Sequence, residues 1–128
     1  MGIFNFGNND NKGTESSKIN WNDLTNVQQL GEIQEESNEK PVVIFKHSTR
    51  CSISRMALRQ FENEFNLHEE VKPYFLDLIE HRDVSNEIAN RFQVVHQSPQ
   101  VLVIKNGKSV YDTSHDSIDA EVLKSKIN

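Results

Sequence analysis

The stretch PVVIFKHSTRCSISRMALRQF, residues 41–61, joins a run of β-branched and aromatic residues to a helical pattern across a short polar segment. Residues 42–45 form a continuous apolar run bounded by Pro41 and a polar cluster, which is typical of a strand buried on both faces. Beyond the polar segment, apolar residues recur at helical spacing, namely Ile53, Ala57, Leu58, Phe61 and Phe65. The stretch therefore predicts a buried strand followed by a helix, with Cys51 at the turn between them.

Patterns on both sides of this stretch predict further alternating elements. In chain order they are a helix over about 26–37 that begins at a Thr25–Gln28 capping box, a strand over 72–79, a helix capped by Asp83, strands over about 101–104 and 109–113, and a last helix capped by Asp116 or Ser117. Asn106-Gly107 is a strong signal for a hairpin between the last two strands. Strands and helices thus alternate until a terminal hairpin and helix.

The order of elements predicts an α/β fold with a mixed sheet of four main strands and helices on both faces. Strand–helix–strand units favour parallel central pairs with right-handed crossovers, and the hairpin adds an antiparallel edge. This order is similar to the thioredoxin architecture. We expect one such domain over residues 20–128, preceded by a flexible polar tail over residues 1–19, which are rich in Asn, Gly, Ser and Lys.

Composition narrows the functional classes. The 128 residues suit a single domain, and a formal net charge of −5 argues against a broad nucleic-acid-binding surface. A single cysteine fits a reducing cytoplasm better than a secreted domain held by disulfides. The chain shows neither a signal-peptide pattern nor an apolar run of about 18 residues that could span a membrane. We therefore expect a cytoplasmic protein without nucleic-acid or membrane partners.

Cys51 is the candidate nucleophile. At the first turn of a helix, free backbone N–H groups and the helix dipole favour a thiolate, which is the form that attacks disulfides. Arg50 and Arg55 add positive charge close by, and Lys46 and His47 flank the end of the strand. Two interpretations remain open: Cys51 is a reactive thiol, or it is a small buried apolar residue, as a lone cysteine often is.

Ser54 stands where the second cysteine of a Cys-x-x-Cys motif would be, one helical turn after Cys51. Its hydroxyl could donate a hydrogen bond to the thiolate, but it cannot resolve a mixed disulfide. Alternatively, Ser54 is simply a polar residue suited to the start of a helix. Any reaction at Cys51 therefore needs an external thiol to complete it.

Ser98-Pro99 precedes a predicted strand. Local sequence alone favours a trans peptide bond, since only about 5–6% of X–Pro bonds are cis. The order of elements favours cis instead, because this architecture places a cis proline facing its reactive helix end. The backbone of Ser98 could then pair with an extended substrate as an added strand. The five histidines show no ligand spacing with one another or with Cys51, so we expect no metal site.

Four segments, residues 45–54, 98–100, 106–108 and 114–115, together resemble the monothiol bacilliredoxins, which are thioredoxin-like bacterial proteins that use bacillithiol as their small thiol. The similarity runs from about Trp21 to the end of the chain, although the commoner family form has Pro where this chain has Ser52. The resemblance implies that Cys51 removes bacillithiol from mixed disulfides on client proteins under oxidative stress. Bacillithiol is then a co-substrate, and no cofactor is tightly bound.

Position and charge, together with the resemblance, predict roles for individual residues. The catalytic residues would be Cys51 and Ser54, and Arg50 and Arg55 would stabilise the thiolate. Substrate would be bound by five residues on two segments: Ser48, Thr49, Gln97, Ser98 and Pro99.

Two other functions remain open at this stage. The first is a non-catalytic thioredoxin-like module that docks partners. The second is an iron–sulfur carrier like the monothiol glutaredoxins, although those place Gly-Phe after the cysteine, where this chain has Ser52-Ile53. The sequence names neither the client proteins nor the thiol that regenerates Cys51.

Overall fold

The computed structural model describes residues 19–65 and 70–127. Its elements are β1 (Asn22–Asp23), α1 (Gln28–Glu36), β2 (Val42–His47), α2 (Ser52–Glu64), β3 (Lys72–Asp77), α3 (Arg82–Phe92), β4 (Gln100–Lys105), β5 (Lys108–Ser114) and α4 (Ala120–Lys126), with a 3₁₀ turn at His115–Ser117 before α4. Every predicted helix and strand is present, and the short β1 is additional. The predicted tail lies outside the described residues except for Ile19, which is buried.

The strands form one mixed sheet in the order β1-β3-β2-β4-β5, so the predicted α/β class is confirmed. β3 runs parallel to both β1 and β2. β4 is antiparallel to β2 and β5, so the second strand–helix–strand unit does not give the adjacent parallel pair that its pattern suggested. Because β4 begins opposite the end of β2, with Gln100 paired to Lys46, Ser98 and Pro99 lie at the same end of the sheet as Cys51.

β2 is buried along its whole length, as predicted, and its alternate side chains enter two separate cores. Val43 and Phe45 pack with α2 and α4 on one face of the sheet. Val42 and Ile44 pack with α1 and α3 on the other face. Burying each of these side chains contributes roughly 1.5–3 kcal/mol, so β2 is the structural centre of the fold.

The capping box of α1 lies one residue later than predicted. The backbone N–H of Gln29 donates to Asn26 Oδ1 at 3.1 Å, and the N–H of Asn26 donates to Gln29 Oε1 at 3.1 Å. The Thr25 N–H also donates to Gln29 Oε1, at 2.7 Å. The reciprocal pair of the capping box is therefore Asn26 with Gln29. Asn suits the first position of such a pair as well as Thr does.

The predicted caps of the last two helices are wrong. Asp83 lies inside the first turn of α3, which follows His81 without a side-chain cap. Ser117 belongs to the 3₁₀ turn, and Asp119 caps α4 by accepting a hydrogen bond from the Glu121 N–H at 2.8 Å. Several Asp and Ser residues compete for each helix start in this sequence, and tertiary packing selects among them. No helix in the described part of the chain is long and apolar enough to cross a membrane.

Candidate active site

Cys51 is the N-cap residue of α2, at the predicted turn between the central strand and the helix. It is partly exposed and has extended backbone angles. Its N–H donates to the Ser48 carbonyl at 3.2 Å, and its own carbonyl accepts from the Arg55 N–H at 3.1 Å. The thiol thus lies where unpaired backbone N–H groups and the positive end of the helix dipole favour an anion.

The two arginines predicted to stabilise the thiolate have different surroundings. Arg55 is exposed, and its Nη1 donates to the Thr49 carbonyl at 3.1 Å, so its guanidinium folds back over the turn that holds Cys51. Arg50 is exposed beside the cysteine. Both guanidinium groups therefore lie on segments adjoining the thiol, and their stabilising role stays a prediction.

Ser54 is completely buried beneath the turn. Its Oγ accepts a hydrogen bond from the Ser48 N–H at 3.0 Å and lies 2.8 Å from His47 Nδ1. Among the described residues, no hydrogen bond joins Ser54 to Cys51. The hydroxyl instead fixes the junction of β2 and α2, and the predicted bond to a Cys51 thiolate stays a prediction.

His47 is a component of the site that the sequence pattern placed only at the end of the strand near Cys51. Its side chain is buried, and its ring centroid lies 5.5 Å from that of Phe75. Burial lowers the pKa of His47, an effect that the Asp77 carboxylate opposes and the Arg55 guanidinium reinforces. The period of two along β2 could have indicated this position, because it places His47 on the same face as Phe45.

Lys46 lies on the opposite face of β2 and is also completely buried. Its Nζ is 2.8 Å from His96 Nδ1, and burial lowers the pKa of Lys46 to about 8. The sequence pattern placed Lys46 only at the end of the strand near Cys51, and a fully buried lysine is rare. Lys46 therefore contacts the segment before β4 and is not part of the surface around Cys51.

The segment that leads into β4 is the second side of the site, and its Ser98–Pro99 peptide bond is cis, as the element order predicted. Gln100, fully buried, holds it through Nε2, which donates to the Val95 carbonyl at 3.0 Å. The Pro99 carbonyl accepts from the His115 N–H at 3.1 Å. The segment is thus tied to both the sheet and the turn after β5.

The predicted substrate-binding residues divide by exposure. Ser48 and Pro99 are buried, whereas Thr49 is exposed and Gln97 and Ser98 are partly exposed. The exposed members lie on the two segments that meet at this end of the sheet. Those three retain surface for a substrate, and substrate binding by all five stays a prediction.

Ile53 differs from its predicted place on the buried face of the helix. It is 58% exposed and Met56 is 68% exposed, since both project from α2 away from the face that packs on the sheet. They line a cavity of about 260 Å³ together with Ala57, Gln60, His115, Ile118 and Asp119. An apolar surface therefore lies on the first two turns of α2, the helix that begins directly after Cys51.

Comparison with known proteins agrees with this geometry. The model of the family described as "Monothiol bacilliredoxin BrxC" matches residues 22–123. The chain belongs to the monothiol bacilliredoxin family. Within the described residues, no cluster of three or more His, Cys, Asp or Glu side chains could hold a metal ion.

Solved structures with a thioredoxin fold are similar to this chain. A protein described as a proposed oxidoreductase with a thioredoxin fold is 33% identical, with a TM-score of 0.72 over 83% of this chain and 92% of its own. Thioredoxin from Malassezia sympodialis is 19% identical, with a TM-score of 0.67 over 87% of this chain and 90% of its own. Fasciola hepatica thioredoxin is 20% identical, with a TM-score of 0.63 over 82% and 94%. The last two show the fold alone, while the family and the first structure support a thiol-redox role.

Proposed function

We propose that this protein is a thiol–disulfide oxidoreductase that removes bacillithiol from mixed disulfides on client proteins by a monothiol mechanism. The observation that carries the proposal is the position of Cys51, the one cysteine of the chain, partly exposed at the N-cap of α2. A thiol there combines access with an environment that favours the thiolate. Ser54, one turn further along α2, offers no second thiol.

In the first step, the Cys51 thiolate attacks the bacillithiol sulfur of the mixed disulfide. A bond forms between Cys51 Sγ and that sulfur, and the bond from bacillithiol to the client sulfur breaks. The client cysteine leaves as a thiolate and takes up a proton from water. The client is thereby reduced, and Cys51 now carries bacillithiol.

In the second step, a thiolate from outside the chain attacks the bacillithiol sulfur on Cys51. Cys51 leaves as a thiolate, and the product is a disulfide between bacillithiol and the incoming thiol. The electrons that reduce the client thus come from this second thiol, because the bacillithiol sulfur begins and ends in a disulfide. Ser54 cannot replace the external thiol, because a hydroxyl forms no disulfide.

The geometry gives the client two surfaces beside the thiol. Ser98 and Gln97 are partly exposed next to the start of β4, where an extended segment of the client would add as a strand. Ile53 and Met56 offer apolar surface on the helix side. We further propose that the protein acts in the cytoplasm during oxidative stress, where bacillithiol adducts form.

The test is removal of bacillithiol from a client whose single thiol has been converted to the mixed disulfide, followed by mass spectrometry. We expect the Cys51→Ala variant to lose all activity while retaining the circular dichroism spectrum of the parent. Ser52→Ala, which changes an exposed neighbour on the same turn, is the matched control and should retain activity. Activity in Cys51→Ala, or none in the parent, contradicts the proposal; binding of the client without removal would instead indicate a docking module.

A further inference from the structure

The contact between Lys46 and His96 joins the central strand to the segment that precedes β4. The Lys46 Nζ lies 2.8 Å from His96 Nδ1, and the same Nδ1 lies 3.2 Å from Ser85 Oγ on α3. Lys46 and Ser85 are buried, whereas the His96 side chain reaches the surface two residues before Ser98. One buried ammonium group thus supports the segment that forms one side of the active site.

This lysine is energetically unfavourable for the fold. Among the described residues no carboxylate forms an ion pair with Lys46, and burial lowers its pKa to about 8. Moving a charged group out of water without a counter-ion costs free energy, and a well-packed apolar residue of similar volume is often neutral or stabilising in such a place. A role in stability alone therefore does not account for Lys46.

The contact determines the state of the His96 ring. When Lys46 is charged, its ammonium group has three donors and no acceptor, so the contact at 2.8 Å requires His96 Nδ1 to accept the hydrogen bond. Ser85 Oγ can donate to the same nitrogen. Burial, the Lys46 charge and the Arg82 charge all lower the pKa of His96, which favours the neutral ring. His96 is therefore held as the tautomer with hydrogen on Nε2, and its ring orientation is fixed by two buried donors.

We propose that Lys46 is a positioning residue that acts through His96 to hold the segment of residues 93–99 in the conformation that binds the client. Gln100 supports this segment from one side through the Val95 carbonyl and the Gln97 N–H, and Lys46 supports it from the adjacent position on β2. The proposal deepens the proposed function and rests on it for its kinetic test. Cys51 itself is not the target of the Lys46 charge.

The first experiment compares Lys46→Met with the parent in removal of bacillithiol from the client. We expect KM to rise about tenfold, the loss given by one charge-assisted hydrogen bond, with kcat nearly unchanged. The rate at which iodoacetamide alkylates Cys51 should not change, and the melting temperature should stay equal or rise. Lys72→Met, which removes a partly exposed lysine paired with Glu36, is the matched control and should leave KM unchanged.

The second experiment reads the ring directly by the nitrogen chemical shifts of His96, which separate bare from protonated ring nitrogens. The parent should show a bare Nδ1, and Lys46→Met should show a mixture of tautomers. His96→Asn retains an acceptor near Nδ1 and should keep a KM close to that of the parent. His96→Leu leaves the ammonium without an acceptor and should lower the melting temperature, which adding Lys46→Met should restore.

An unchanged KM in Lys46→Met overturns the proposal, whatever the tautomer. A raised KM accompanied by a lower melting temperature and slower alkylation indicates general damage and also overturns it. If the parent removes no bacillithiol at all, the proposed function fails, and the tautomer of the His96 ring alone then tests the role of Lys46. If the ring has the same tautomer in the parent and in Lys46→Met, the positioning role of Lys46 is rejected.

Discussion

The Ser54→Ala substitution tests the support beneath the active-site turn. It removes an oxygen that accepts from the Ser48 N–H at 3.0 Å and lies 2.8 Å from His47 Nδ1, at a position with no solvent exposure. Each buried polar group left without a partner costs roughly 1–3 kcal/mol. Alanine recovers about 0.5 kcal/mol through its higher helix propensity. We therefore expect the free energy of unfolding to fall by about 3 kcal/mol.

Urea unfolding followed by tryptophan fluorescence measures this change. For a domain of this size, a loss of about 3 kcal/mol lowers the midpoint by roughly 2 M urea. Ser52→Ala is the matched control, because Ser52 lies on the same turn but is exposed, and its effect should stay within about 0.5 kcal/mol. If Ser54→Ala is no more destabilising than Ser52→Ala, the hydroxyl does not hold the turn and the reasoning is refuted.

Other substitutions near this turn and at the last helix have expected outcomes of their own. Ser54→Cys places a thiol one turn from Cys51, so an internal disulfide should expel bacillithiol bound to Cys51. Mass spectrometry should find less bacillithiol adduct on Cys51 than in Ser54→Ala. Equal amounts of adduct would mean that the side chains at positions 51 and 54 do not meet. Because burial lowers the pKa of His47, the unfolded chain takes up a proton at higher pH than the folded protein, so stability should decline as pH falls below about 6.5. His47→Gln should make the decline of unfolding free energy with falling pH shallower, as measured by urea titrations at several pH values. An unchanged dependence on pH would contradict the lowered pKa of His47. In thermal unfolding, Asp119→Ala should lower the free energy of unfolding by about 1 kcal/mol, and Ser117→Ala should lower it much less. The reverse order would show that Ser117 is the N-cap of α4.

The sequence by itself determined the order of the elements, the buried central strand and the placement of Cys51 at the start of a helix. These follow from local patterns: the continuous apolar run at residues 42–45, the helical spacing that reaches Phe61 and Phe65, and the turn residues Asn106-Gly107. Such patterns depend on neighbours a few positions away, so a single chain shows them directly. Four short segments, of which the one around Cys51 is the most specific, likewise sufficed to predict the family that the family model confirms.

Only the tertiary structure decided how the polar side chains around the site are used. Lys46 and His47 are adjacent in sequence, yet the strand directs them to opposite faces, where one meets His96 and the other meets Ser54. Those partners are 50 and 7 residues away, and the first of them is brought near only because β4 pairs antiparallel with β2. Lys46 is buried here because distant segments cover it, and no local pattern specifies its contact with His96.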